Sequence, residues 1–197
     1  MRPKSLPLSF YSEPTLQLAQ SLLGHMLLKE TEEGLTGGYI VETEAYLGPN
    51  DRAAHSFNHR RTKRTEIMFG EAGYVYTYTM HTHCLLNIVS GGTDEPEAVL
   101  IRAVEPYYGQ DLIAQRRSKI TKKKHWTNGP GKLTKALNIT MDDYGHKLDQ
   151  HPLWIARGKS LDAADIASGP RIGIQNSGEA KAYPWRFWEY LNTFVSK

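Results

Sequence analysis

Apolar and polar positions along the chain predict more strands than helices. Apolar residues recur at helical spacing over residues 15–28, and two further helices are predicted over residues 106–117 and 132–137. Strands are predicted over residues 38–48, 74–80, 85–89, 98–104, 153–155 and 169–174. Because short turns join most neighbouring strands, we expect an α+β fold with a mixed, largely antiparallel sheet and flanking helices.

Chain length and composition narrow the class of protein. At 197 residues the chain can bury a sizeable core, so we expect one domain over residues 1–197. A single cysteine, Cys84, rules out an internal disulfide, and the first residues lack the apolar core of a signal peptide. No apolar run approaches the roughly 20 residues that span a membrane. We expect a soluble, cytoplasmic protein with no membrane partner.

The strand at residues 38–48 brings several chemically active side chains together. Side chains alternate along a strand, so Glu42, Glu44 and Tyr46 share one face, and His55 follows across a turn. Carboxylate, phenol and imidazole groups are the ones that enzymes use to move protons or activate water. Taken alone, alternating glutamates are more often the solvated face of a strand.

Tyrosines alternate along the next predicted strand, where Tyr74, Tyr76, Tyr78 and Met80 share a face. An exposed aromatic face of this kind can stack nucleobases. A half-buried sheet with cross-strand aromatic pairs produces the same pattern and is more common.

Two polar residues interrupt otherwise apolar strands. Arg102 requires a carboxylate or phosphate partner if it is buried, so it either pairs with a structural glutamate or orients Glu44 or a substrate phosphate. Asn87 lies among leucine, isoleucine and valine residues. Its amide can hydrogen-bond a base edge or a neighbouring loop.

A possible metal site lies at His81, His83 and Cys84, which His55 or His59 could complete. Strand alternation separates the cysteine from the two histidines, and no second ligand pair has zinc-finger spacing. We therefore expect no metal. A metal-dependent nucleic-acid hydrolase or deaminase stays open as an alternative function.

Basic residues are concentrated although the net charge is only +3. Residues 116–126 contain six basic side chains and no acidic one, and residues 53–64 form a second cationic segment. Such clusters are either solvated surface or phosphate contacts, which supply most of the sequence-independent affinity for nucleic acid. A nucleic-acid-binding module without catalysis is therefore a second alternative.

Taken together, these blocks resemble the alkyladenine (3-methyladenine) DNA glycosylases, the class with a wide mixed sheet. The main block is VETEAYLGPNDRAAHS at residues 41–56. Shorter matching blocks lie in order at residues 18–19, 22–24, 68–69, 74–76, 86–87, 99–106, 129–133 and 171–174.

The resemblance implies a catalytic centre. Glu44 would activate a water to attack C1′ of the sugar, and Arg102 would help place Glu44 and that water. The flipped base would be held by Tyr46, His55 and Tyr76. In addition, the resemblance assigns Asn87 to rejecting bases that carry a clashing exocyclic group.

The resemblance also implies a protruding β-hairpin that enters the DNA minor groove. This chain lacks the usual Tyr-Gly-Met of the family, so Tyr78, Met80 or His81 would be the wedge, with Met80 favoured as an apolar side chain. Met68 and Lys132 would contact the DNA backbone or support the hairpin.

The implied enzyme is a hydrolase of base excision repair that acts on duplex DNA containing damaged purines. It would be a monomer without a cofactor. No lysine nucleophile occurs in the matched blocks around the catalytic positions, so it would leave an abasic site without cutting the strand.

Overall fold

A computed structural model describes residues 2–196. It contains three α-helices and one eight-stranded sheet in which every strand pairing is antiparallel. The helices are α1 (Thr15–Ser21), α2 (Gln110–Arg116) and α3 (Pro130–Leu137). The strands are β1 (Met26–Thr31), β2 (Gly34–Tyr46), β3 (Val75–Met80), β4 (His83–Ser90), β5 (Glu97–Tyr108), β6 (Leu153–Ala156), β7 (Ile166–Gly169) and β8 (Arg186–Glu189). The predicted α+β class is confirmed.

Strand β2 is the centre of the sheet. The order is β3-β4-β5-β2-β1-β6, and β8 pairs with both β2 and β7. The register between β2 and β5 shifts on either side of Glu42, an irregularity of the kind that re-aims side chains next to active sites. β2 also approaches β5 very closely at Gly38, where an added Cβ would lie 2.0 Å from the carbonyl oxygen of Glu105.

One large apolar cluster fills the space between the sheet and the helices. Its members are fully or nearly fully buried, and they include Leu18, Leu22, Leu27, Ile40, Leu86, Val99, Ile101, Val104, Leu133 and Leu137. Helix α3 packs against β4 and β5, with its buried positions Leu133, Ala136 and Leu137 at helical spacing. The core therefore fixes the sheet on which the polar residues described below are mounted.

Three predicted elements differ most from the structure. The helix expected over residues 15–28 ends at Ser21, because Gly24 takes a positive φ of 81° and residues 26–31 pair with β2 and β6. The helix expected over residues 106–117 begins only at Gln110, since β5 extends to Tyr108. The prediction of a strand over residues 169–174 was wrong, because β7 ends at Gly169 and a loop follows. Strand pairing decides the first two cases: residues 26–31 pair with β2 and with the distant β6, and β5 pairs with β2 as far as Tyr108.

No helix within residues 2–196 is both long enough and apolar enough to cross a membrane.

Candidate active site

Glu44 lies near the end of β2 with its carboxylate fully buried. One oxygen, Oε1, accepts a hydrogen bond from the backbone N–H of Ile172 at 2.8 Å and lies 3.2 Å from Nη1 of Arg102. The other oxygen, Oε2, accepts from the hydroxyl of Tyr46 at 2.8 Å. The solvated-face interpretation of this strand is wrong, since Glu42 is fully buried as well.

Burial raises the pKa of the Glu44 carboxyl above its ordinary value, because desolvation disfavours the charged form. The Arg102 guanidinium, the Ile172 N–H and the Tyr46 hydroxyl oppose this effect, and Glu42 adds to it. Desolvation is the largest contribution. Glu44 is therefore a stronger base, when ionised, than an exposed glutamate.

Arg102, on β5, joins both carboxylates of the neighbouring strand. Its Nε donates to Oε1 of Glu42 at 3.2 Å while Nη1 faces Glu44. Both interpretations of this arginine, structural pairing and orientation of Glu44, describe contacts that the structure contains.

An aromatic cavity of about 360 Å³ is lined by Tyr46, Arg102 and Ile172, the three residues that contact the Glu44 carboxylate. Tyr76 and Tyr78 stack with ring centroids 5.6 Å apart, and His55 packs edge-on against Tyr78 at 4.5 Å. The His55 Nδ1 and the Tyr76 hydroxyl share a hydrogen bond of 2.8 Å. The three residues predicted to hold the base therefore lie together.

The aromatic side chains of this cavity are uncharged near neutral pH, whereas Arg52 and Arg102, which also line it, are cationic. Burial, reinforced by the nearby cations Arg64 and Arg60, lowers the pKa of His55 to about 4. Burial also raises the pKa of Tyr78 to about 12 and that of Tyr76 further. Neutral, electron-rich rings of this kind attract a cation placed between them.

Asn87 lies on β4 directly opposite Tyr76 on β3. Its side-chain amide donates to the Tyr76 carbonyl oxygen at 3.1 Å, and the residue lines the cavity while being almost wholly buried. The structure thus orients the Asn87 amide by a main-chain hydrogen bond.

Another wall of the aromatic cavity is a loop over residues 170–177, which a buried ion pair holds in place. Arg171 Nη2 donates to Oδ1 of Asp51 at 2.8 Å, and Arg171 Nη1 donates to the Ala45 carbonyl oxygen at 2.9 Å. This anchoring places the backbone N–H of Ile172 where it donates a hydrogen bond to Oε1 of Glu44. Sequence reasoning missed this role, although both Asp51 and Arg171 lie within the blocks of resemblance.

The hairpin of β3 and β4 places the three wedge candidates differently. Met80 is 44% exposed beside the turn, and His81, in the turn, has a positive φ of 55°. Tyr78 stacks on Tyr76 and packs edge-on against His55, and it lines the cavity together with Met80. Of the three candidates, Tyr78 would have to give up these ring contacts to act as a wedge.

The resemblance gives Met68 either a DNA backbone contact or support of the hairpin. Met68 is 2% exposed and packs with Tyr76 of β3, Val89 of β4 and Ala98. This packing fits support of the hairpin, whereas a side chain with so little exposed surface does not fit a backbone contact. Lys132 is exposed at the start of α3, where its Nζ donates to Oδ1 of Asn128 at 2.9 Å.

The side chains of the suggested metal site are not gathered. Within residues 2–196 no group of three or more His, Cys, Asp or Glu side chains is arranged to hold a metal ion. Burial, with a smaller effect of Asp143, raises the pKa of Cys84 to about 11.

A buried carboxylate with a raised pKa whose partners line an aromatic cavity suits a hydrolase that holds a flat ring near a general base. A family model described as methylpurine-DNA glycosylase (MPG) matches residues 9–193. The chain belongs to the methylpurine-DNA glycosylase family, which confirms the resemblance drawn from its sequence blocks and the enzyme class, a hydrolase of the N-glycosidic bond.

Bacterial relatives are similar over nearly the whole chain. Proteins named "Putative 3-methyladenine DNA glycosylase" are 67% identical in Bacillus licheniformis and 62% identical in Bacillus subtilis. Each alignment covers 98% of this chain and 96% of the relative. A protein of the same name from Listeria monocytogenes serovar 1/2a is 45% identical, with 95% and 89% covered. The two alternative functions, a metal-dependent hydrolase or deaminase and a binding module, therefore give way to a DNA glycosylase.

Replacing Glu44 by glutamine should leave the protein at least as stable as the parent near pH 7. The folded-state pKa of Glu44 is raised, so ionising it above that pKa costs folding free energy that a neutral amide avoids. The stability difference should shrink as pH falls through this raised pKa, where the parent carboxyl is also neutral. Thermal unfolding between about pH 4 and pH 8 measures it.

The matched control is Glu71→Gln at an exposed glutamate without an ion pair, which should show no such pH trend. A Glu44→Gln protein that is clearly less stable at pH 7 would contradict the dominance of desolvation.

Proposed function

We propose that this protein is a monofunctional glycosylase that flips alkylated or deaminated purines out of duplex DNA and leaves an abasic site. The observation that carries the proposal is the buried, basic Glu44 carboxylate, whose partners Tyr46, Arg102 and Ile172 line an aromatic cavity. The enzyme would act as a monomer without a cofactor, on chromosomal DNA in the cytoplasm.

In the proposed reaction, Glu44 takes a proton from a water molecule as the water oxygen bonds to C1′ of the sugar. The bond between C1′ and the base nitrogen breaks, and its electron pair leaves with the base. A purine alkylated on a ring nitrogen is cationic, so this electron pair neutralises it. Positioning a water and a base therefore suffices for such substrates.

Arg102 fits two tasks in this reaction. Its guanidinium is held by Glu42 and faces Glu44, so it fixes the rotamer of the carboxylate. It also lines the cavity, where it can help place the attacking water. Its charge opposes the raised pKa of Glu44, which keeps part of the carboxylate population ionised.

Base selection would depend on the cavity walls. Extruding a nucleotide costs a few kcal/mol, least for a damaged base pair. A cationic base between Tyr46, His55 and Tyr76 would gain about 0.5–2 kcal/mol from cation–π attraction. Neutral His55 is important here, because an imidazolium would repel the same base. Asn87 would reject bases that carry a clashing exocyclic group.

DNA would lie over the hairpin and the cationic segments beside it. Met80, exposed at the turn, would fill the space that the flipped base leaves, as apolar wedges do in other proteins. Arg64 lies close enough to the cavity to affect His55, and Lys132 lies close to Arg117. These cations flank the hairpin and would contact phosphates.

The absence of a cavity lysine supports a monofunctional reaction. Among the described residues that line the cavity there is no lysine, so no amine is placed to form a Schiff base with the sugar. Strand cleavage by elimination from such an intermediate is therefore not expected.

Glu44→Gln should retain binding to damaged duplex but lose excision, because the amide cannot accept the proton of the water. The single-turnover rate on methylated DNA should fall by at least about 100-fold, the lower range for a general base. Excision is measured with EDTA present and alkali added to cleave abasic sites. Excision by Glu44→Gln at the rate of Glu71→Gln would refute the catalytic role.

Tyr76→Ala should weaken the capture of a damaged base more than it weakens binding to undamaged duplex. The lost stacking surface is worth about 1–3 kcal/mol per base. Titrations with matched damaged and undamaged oligonucleotides measure the difference. Tyr107→Ala is the control, since Tyr107 is 53% exposed and lies outside the cavity. Equal losses on both DNAs would remove Tyr76 from base recognition.

Excision of 7-methylguanine should decline as pH falls through the raised pKa of Glu44, because only the ionised carboxylate accepts a proton. The acid limb should lie above the ordinary glutamate value of 4.5. His55 titrates only at about 4, so it should not produce this limb. Single-turnover rates across this range test the assignment, and a profile flat down to pH 4.5 would contradict it.

A further inference from the structure

The last described residues of the chain return to the back of the catalytic centre. Phe194 packs against Val41 of β2 and Ala103 of β5, in a small apolar cluster of its own. This packing carries Ser196 under the two strands that hold the catalytic carboxylate and its arginine, and Ser196 is buried.

Ser196 makes two hydrogen bonds to the buried carboxylate of Glu42. Its backbone N–H donates to Oε2 at 2.8 Å, and its hydroxyl donates to Oε1 at 2.8 Å. Arg102 Nε and Arg186 Nη1 donate to the same Oε1 at 3.2 and 3.1 Å. Two of the four donors that satisfy Glu42 therefore come from Ser196.

The Ser196 hydroxyl also contacts Arg102. It accepts a hydrogen bond from Nη2 at 3.3 Å while donating to Glu42. Each nitrogen of the guanidinium thus has its own partner: Nε binds Glu42, Nη2 binds Ser196 and Nη1 faces Glu44. The serine fixes the rotation of the guanidinium plane.

We propose that Ser196 is a positioning residue for the glycosylase reaction, acting through Glu42 and Arg102 to keep the arginine on Glu44. The inference rests on the proposed function, because it assigns Glu44 as the base. Ser196 has no contact with the reacting atoms in this scheme. Ser196 is thereby linked to Glu44 through Glu42 and Arg102.

Loss of the hydroxyl has a definite physical consequence. Glu42 loses one donor and Arg102 loses the acceptor of Nη2, and a guanidinium with a free edge prefers a bidentate pair with a carboxylate. Arg102 would then turn toward Glu42 and away from Glu44. The pKa of Glu44 would rise further, since Arg102 is the largest of the contributions that lower it.

The test compares Ser196→Ala with Ser196→Thr, which keeps the hydroxyl, and with Thr193→Ala, which removes an exposed hydroxyl from the same tail. Single-turnover excision is measured against pH for each protein. Affinity for a duplex carrying an uncleavable abasic analogue and the melting temperature are measured alongside.

Ser196→Ala should lower the plateau rate about 10-fold, the effect of losing one hydrogen bond to a charged group. Its acid limb should move to higher pH, with DNA affinity unchanged. Ser196→Thr should restore both properties, and Thr193→Ala should match the parent. Should Ser196→Ala fold poorly, Ser196→Cys, a weaker donor of similar shape, should give an intermediate rate and limb.

Two results would overturn the proposal. One is a Ser196→Ala or Ser196→Cys profile that coincides with that of Thr193→Ala. The other is a loss that appears equally in affinity and melting temperature, leaves the acid limb in place and is not rescued by threonine. If Glu44→Gln abolishes excision in the same assay, either result removes only the role of Ser196. If Glu44→Gln stays active, the proposed function itself fails.

Discussion

The burial of two carboxylates on one strand is the constraint from which the rest of the site follows. Glu42 and Glu44 are both fully buried on β2, and buried charges are costly unless they are paired and hydrogen-bonded. Their partners come from the two strands that flank this part of β2: Arg102 from β5 and Arg186 from β8. The order of strands in the sheet thus places an arginine on each side of the buried carboxylates, where the opposite charges offset one another.

The negative charge of Glu44 is less fully compensated than that of Glu42. Glu42 receives four donors, whereas Glu44 shares one arginine, one main-chain amide and one phenol, and its pKa stays raised by burial. A fully compensated carboxylate would be a weak base. The same strand therefore carries one carboxylate that anchors the arginine and one that is free to take a proton.

The cavity beside Glu44 follows the opposite rule, because its aromatic walls are neutral. Burial lowers the pKa of His55 and raises those of the tyrosines, so these rings carry no positive charge that would repel a cation. Arg52 and Arg102 also line the cavity, and the charge of Arg102 is offset by the buried carboxylates of Glu42 and Glu44. The cavity therefore combines neutral aromatic rings with an arginine that is already paired.

The sequence by itself determined the strands that carry the site and which residues share a face on them. Alternation brought Glu42, Glu44 and Tyr46 together, and the blocks of resemblance identified the family correctly. Alternation does not show which face of a strand is buried, because the strands and loops that pack on that face are distant in sequence. Only the tertiary structure decided that the carboxylates are buried, that Tyr78 lies in the cavity, and that Ile172 and Ser196 reach the centre. The contacts of Ile172 with Glu44 and of Ser196 with Glu42 join residues more than 100 positions apart, over which local sequence patterns carry no information.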